Sequence, residues 1–262
     1  MSFKKKLTRI FSVMFIAATI TGVILLTSFN SVKQKNIRCP EIIVNIDRST
    51  ELFFLDDTDI KEILINKLGD SVKGDNISSI HLAKIEEVLE ANPFVQSAES
   101  FLDMQGNMHV HVRQKQPVAR VINKFGVHYY LTESAVKFPL NDKFTCRVPV
   151  ISGNIEEGFN NSDTIQSKVL RDGFKIIQFI QTNELWNAQT EQLYVNEDDE
   201  FDLIPMVGDQ VIVFGKAENI KEKFEKLELF YTEGLNYTGW ETYSKINLSF
   251  DNQIVCTKKD TL

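Results

Sequence analysis

The 262-residue chain is poor in the residues that carry covalent chemistry. Its three cysteines, Cys39, Cys146 and Cys256, lie far apart and show no C-x-x-C spacing, which excludes the common zinc and dithiol frameworks. One disulfide among them would leave a thiol over, and the sequence does not choose the pair. There are four histidines, so a Ser–His–Asp site would have to be built from His81, His109, His111 or His128, each of which has an ordinary structural role available. No G-x-S-x-G elbow, S-x-x-K, glycine-rich phosphate loop or H-E-x-x-H occurs. Neither an internal repeat nor a low-complexity tract is present. No catalytic residue, cofactor or metal site is expected, and the chain does not read as an enzyme.

Two clusters could still suggest a ligand. His109 and His111 stand two apart in a predicted strand, so both imidazoles project from one face and could share a metal. No third ligand is evident nearby, and the polar face of a hairpin accounts for the pair. The acidic run 197–202 (EDDEFD) lacks the Asp-x-Asp-x-Asp-Gly pattern of a calcium loop and reads as a solvated hairpin tip.

What is there begins with a charge asymmetry. Lys4, Lys5, Lys6 and Arg9 precede an uncharged run over residues 10–29, and the next charge is Lys33. About twenty apolar residues at ~1.5 Å each cover the roughly 30 Å of a bilayer's hydrocarbon core. The run exceeds the roughly 7–15-residue apolar core of a signal peptide, and no clean small-x-small site follows, so it reads as an uncleaved anchor with the basic tail in the cytoplasm. The chain has 29 basic and 36 acidic residues, and four of the basic ones sit in the tail, leaving 25 against 36 in the rest. An acidic exported region is a poor partner for nucleic acid or anionic lipid.

Past a polar linker at 30–40, residues 42–46 (IIVNI) are strand-like. A helix capped by Thr58 or Asp59 carries Ile60, Ile63, Leu64 and Leu68 and ends at Gly69. A second helix, introduced by Ser78 or Ser79, places Ile85, Val88 and Leu89 on one face and stops at Asn92-Pro93. After Gln105-Gly106-Asn107 the period changes to two, with Met108, Val110 and Val112 alternating with His109, His111 and Arg113. The order is strand, helix, helix, strand, strand, the architecture of a binding module.

From Lys115 the texture is β-rich. Strands are expected at 118–122, 127–131, 148–151, 192–195, 201–205 and 210–214, with helices at 168–182 and 217–233. The second helix is expected to pair Glu222 with Lys226 and to end at Gly234. The chain closes with strands at 244–250 and 253–257 around Asp251-Asn252, read as a two-residue hairpin. On it Ile246, Leu248 and Phe250 should face the core, and Lys245, Asn247 and Ser249 a partner or water. A closing strand with apolar Ile254 and Val255, and no proline, can leave a free edge that accepts another strand.

Several stretches in this order resemble the bacterial cell-division family FtsQ/DivIB. They are 85–98 (IEEVLEANPFVQSA), 112–121 (VRQKQPVARV), similar to the family's R-x-P-[IV]-A-R-[IV], Tyr129-Tyr130 with Phe138-Pro139, 149–153 (PVISG), 216–229 and 246–255 (INLSFDNQIV). One departure stands out, because the family usually has Asp and, three residues on, Gly after the Tyr-Tyr, where this chain has Thr132 and Ala135. The resemblance implies an α+β protein with a cytoplasmic tail (1–9), a transmembrane anchor (10–29), a linker (30–40), a POTRA domain (41–113), an FtsQ-type β domain (114–257) and a short C-terminal tail (258–262). It implies a non-enzymatic, single-pass scaffold of the cytoplasmic (inner) membrane at the division septum, bulk extracytoplasmic, with FtsB- and FtsL-like proteins and other divisome components as partners. The FtsB contact would fall on the terminal strands, at Lys245, Asn247, Ser249, Gln253, Ile254, Val255 and Cys256. The rivals are a POTRA-containing accessory of export or envelope assembly, expected to carry further POTRA repeats or a membrane barrel, and an exported hydrolase of unrecognised type.

Overall fold

A computed structural model describes residues 14–22, 24, 38–69, 74, 76–159 and 162–259. Most of the expected anchor and all of the basic tail lie outside these residues. The described part, 14–22 and 24, is helical and exposes Met14, Phe15, Ile16, Ile20 and Ile24. Thr19 and Thr21 turn their hydroxyls onto the carbonyls of Ile16 and Ala17, 2.8 and 2.7 Å away, so neither requires water. Among the described residues no helix is long and apolar enough to cross a membrane.

The rest divides into two compact units. The first takes in residues up to Asp47 and Leu55–Gln114, the second Arg48–Phe54 and Lys115 onward. The first unit runs β1 (Ile42–Ile46), α1 (Asp57–Leu68), a 3-10 turn (Ile77–Ser79), α2 (Leu82–Glu90), β2 (Val95–Leu102) and β3 (Met108–Gln114). Its sheet order is β1-β3-β2, with β1 parallel and β2 antiparallel to the central β3. Ile60, Leu64, Ile85 and Leu89 from the helices close on Val95, Ala98, Met108, Val110 and Val112 from the sheet, the periods of 3.6 and 2 that the sequence carries.

The helix starts differ from the sequence expectation. Asp56, rather than Thr58 or Asp59, caps α1, in a capping box where Asp59 bonds back to the Asp56 amide. Ser78 and Ser79 form the 3-10 turn instead of capping α2, which begins after His81 with no side-chain cap.

The second unit is one nine-stranded sheet in the order β12-β11-β10-β9-β8-β7-β4-β5-β6. Its strands are β4 (Pro117–Ile122), β5 (His128–Thr132), β6 (Lys137–Phe138), β7 (Val150–Gly153), β8 (Thr190–Val195), β9 (Phe201–Pro205), β10 (Val211–Gly215), β11 (Tyr243–Asn247) and β12 (Val255–Lys258). The helices α3 (Lys168–Gln181), α4 (Glu184–Gln189) and α5 (Ile220–Leu229) pack on one face of it. Leu170, Phe174, Ile177 and Ile180 of α3, Trp186 of α4, and Phe224 and Leu227 of α5 meet Val121, Leu193, Leu203, Ile212 and Ile246 in one core.

Helix α4 is absent from the sequence reading. Its six residues are too short to show a period, but they seat Trp186 5.1 Å from the Phe224 ring. Gly234 does not end the helix that begins at Ile220. The chain passes through a π turn (Phe230–Gly234) into α6 (Leu235–Thr238) and stops at Gly239, whose φ of 87° suits glycine. The segment Arg48–Phe54 adds Phe54 to the second unit, edge-on to Tyr130, Phe138 and Phe144 at 5.1–6.0 Å.

Candidate functional site: the open edge of the large sheet

The sheet has two edges, and one of them is closed. β6 has only two residues and runs into Pro139, which has no N–H to offer. The Lys137 amide donates to the Asp163 carbonyl at 2.7 Å, and Val136 bridges to Thr164. Beneath it Lys137 Nζ lies 2.6 Å from Glu157 Oε1, both side chains under 5% exposed. The Glu157 carboxylate also accepts the amides of Gln166 and Ser167, at the start of α3. Burial alone would raise the Glu157 pKa, but these bonds from Lys137 and the two amides bring it below the usual carboxylate range.

The other edge is β12. It pairs antiparallel with β11, Ile246 opposite Cys256 and Asn247 opposite Val255, and among the described residues no strand lies on its outer side. β11 in turn runs parallel to β10. A bulge near Ser244 turns that residue's hydroxyl onto the Thr257 carbonyl at 3.3 Å. Beyond the strand the Lys259 ammonium reaches Glu241 at 2.9 Å and Asp209 at 3.4 Å, carboxylates that raise its pKa.

The alternation expected on the closing strands is present through Leu248. Ile246 and Leu248 are fully buried, while Lys245 is exposed and Asn247 half-buried on the face away from the helices. On that face Lys245 lies near Asp202, whose pKa burial raises and Lys245 pulls back. On β12, Cys256, like Ile254 just before it, packs against the core, and Val255 is 44% exposed. Two expectations fail. Phe250 is 46% exposed, and Asp251-Asn252 is not a two-residue turn, because residues 248–254 all separate β11 from β12. Ser249 and Gln253 lie in that connection rather than on strands. The longer path follows from Leu248, whose amide bonds to the Val213 carbonyl at 2.9 Å and carries the chain on along β10 before it can turn.

Sequence reasoning missed two lysines of α5. Lys223, 8% exposed, donates to the carbonyls of Phe214 and Lys216 at 2.9 and 2.7 Å, and burial pushes its pKa down. Lys226 does not pair with Glu222. It donates to the carbonyls of Leu248 and Phe250 at 3.3 and 2.8 Å. The signal was available for Lys223, which shares the helical stripe of Ile220, Phe224 and Leu227 and so had to be buried with a partner.

The sequence-noted clusters hold no ligand geometry. His109 lies flat on Phe101 (centroids 4.9 Å apart) and 3.1 Å from Asp103, and His111 also stacks on Phe101, at 5.5 Å. The acidic run forms the β8–β9 tip, where Asn196 Oδ1 takes the amides of Asp198 and Glu200. Cys39, Cys146 and Cys256 stand as free thiols.

Comparison with known families gives two matches. A family model described as FtsQ/DivIB, C-terminal related, matches residues 116–257, and one described as a POTRA-like domain matches residues 37–113. No curated protein matches the chain.

Proposed function

The chain belongs to the FtsQ/DivIB C-terminal-related family, a division-related scaffold family, and from that premise we propose that it is a non-enzymatic membrane scaffold that recruits FtsB- and FtsL-type proteins by adding a partner strand to β12. The observation that carries the reading is the open side of β12, a proline-free strand whose outer row of N–H and C=O groups has no strand beside it among the described residues. Strand addition uses such a row for affinity and the side chains around it for specificity. Here those side chains are Val255 and Thr257 on the strand, with Lys245 and Asn247 on the same face of β11.

In this reading residues 1–9 stay in the cytoplasm, 10–29 anchor the chain in the cytoplasmic membrane, and 30–40 lead to the POTRA domain (41–113) and the β domain (114–257). The division septum is the place of work, and other divisome components would meet the remaining surface. Co-purification of the full-length chain with the extracytoplasmic segments of the same organism's FtsB- and FtsL-type proteins tests the proposal. Capture of either supports recruitment, whereas failure to capture both overturns it and leaves an envelope accessory as the function.

A further inference from the structure

We propose that Lys226 is a positioning residue for strand capture: by tying the β11–β12 connection to helix α5, it holds β12 in the extended, outward-facing state that a partner strand can join. The inference rests on the reading of β12 as the recruiting edge.

The connection over residues 248–254 is long for a hairpin, and its apex, Asp251-Asn252, is exposed, with Asn252 in the left-handed region at φ 56°. Such a loop would let a four-residue outer strand fray, since among the described residues β12 has a strand on one side only. Several contacts hold its first half, beginning with the Asn247 Oδ1, which accepts the Ser249 amide at 2.8 Å. The Leu248 amide bonds to Val213, the Lys226 ammonium bonds to the carbonyls of Leu248 and Phe250, and Ser249 lies so close to Gly215 that a Cβ there would stand 2.5 Å from its Oγ. Of these, only Lys226 reaches across from the helix layer. Below the connection, between Lys223, Lys226 and Leu229 on one side and Leu248, Asp251 and Asn252 on the other, lies a cleft of about 660 Å³. Lys226 lines this cleft and bonds to the two carbonyls on its far side. The chemistry suits the task, because the carbonyls at positions 248 and 250 both accept from Lys226, and an ammonium on a four-carbon stem supplies up to three donors. Ordering β12 before the partner arrives removes that cost from the binding step.

The test compares four full-length proteins in detergent, the natural chain, Lys226→Ala, Lys226→Arg and Val255→Pro. The probe is the extracytoplasmic segment of the same organism's FtsB-type protein, and affinity, thermal midpoint and amide exchange over residues 251–257 are read. Lys226→Ala is expected to weaken capture about tenfold, equivalent to about 1.4 kcal/mol, with faster exchange in 251–257 and an unchanged midpoint, and Lys226→Arg to restore both. If Lys226→Ala binds as the natural chain does while Val255→Pro does not, the role of Lys226 is wrong and the edge-strand reading stands. If Lys226→Ala binds weakly and Lys226→Arg fails to rescue it, the positioning role is also wrong. If Val255→Pro binds as tightly as the natural chain, or the natural chain does not bind, the edge-strand reading itself fails.

Discussion

At one edge of the nine-stranded sheet β6 holds two residues and runs into Pro139, while at the other β12 holds four and, among the described residues, has no strand on its outer side. The first edge is reinforced by a buried ion pair, a backbone bond to Asp163 and a bridge to residue 164. The second is held in place from behind, by Lys226 and by the Lys259 contacts, with nothing laid across its outer side among the described residues. The small sheet of the first unit repeats the closed pattern at β2. There Glu90 accepts the Ala98 amide at 3.1 Å and Glu86 accepts both the amide and the hydroxyl of Ser100, so α2 occupies donors that another strand would need. Edges invite unwanted pairing, and proteins blunt them unless pairing is wanted. Within the large sheet, the contrast supports the proposal that recruitment falls at β12.

The largest effect expected from breaking this contrast is at Val255. Proline there removes an N–H and fixes φ, so capture of the FtsB-type segment should fall about hundredfold, or about 2.7 kcal/mol. The thermal midpoint should hold, because Val255 is 44% exposed and packs little. Equilibrium binding of the folded variant reads this out.

At the closed edge the effect should fall on stability instead. Glu157→Gln leaves the Lys137 ammonium buried beside a neutral amide, a loss of about 3 kcal/mol. Calorimetry should show the midpoint lower by roughly 6–12 °C, with partner affinity unchanged at temperatures where the variant is folded. Because the folded Glu157 pKa lies below its unfolded value, its contribution is complete above the unfolded pKa and is lost as pH falls through the folded one. Acid unfolding of the natural chain should therefore be steeper than that of the variant.

A smaller pH effect belongs to the first unit. Asp103 is held at about 2, first by the Asn107 side-chain amide, partly offset by burial, then by His109 and the amides of Asn107 and Gln105. Its depressed folded pKa gives stability that is present above about pH 4 and lost between there and about pH 2. Urea titrations at stepped pH should show this slope in the natural chain and not in Asp103→Asn.

The smallest effect is a gain. Ala135 sits at φ 61°, where glycine is at ease, so Ala135→Gly should add about 1 kcal/mol in urea unfolding.

That last position shows how the chain closes the turn after Tyr129-Tyr130 without a glycine. Thr132 Oγ1 accepts the Val136 amide at 3.1 Å, the Ala135 amide reaches the Thr132 carbonyl, and Ala135 takes the left-handed conformation despite its methyl group. Strands β1 and β9 were legible to the residue and α3 to within one, because burial imposes periods of 2 and 3.6 on contiguous residues. What escaped was set by contacts distant in sequence. Nothing local says that Lys226 serves carbonyls 22 and 24 positions away rather than Glu222 one turn back. The same holds for the β11–β12 connection, which the Val213 carbonyl lengthens, and for α4, whose six residues are fixed by where Trp186 must go. Of the candidate site, the existence of a closing strand was readable, but not its start at Val255 nor the devices that hold it.

The central claim is that β12 receives the partner strand. Amide exchange of the full-length chain, with and without the FtsB-type extracytoplasmic segment, tests it most directly. The account predicts slowed exchange at residues 255–258 and no change at 137–138. Binding that leaves β12 exchanging as before would contradict it.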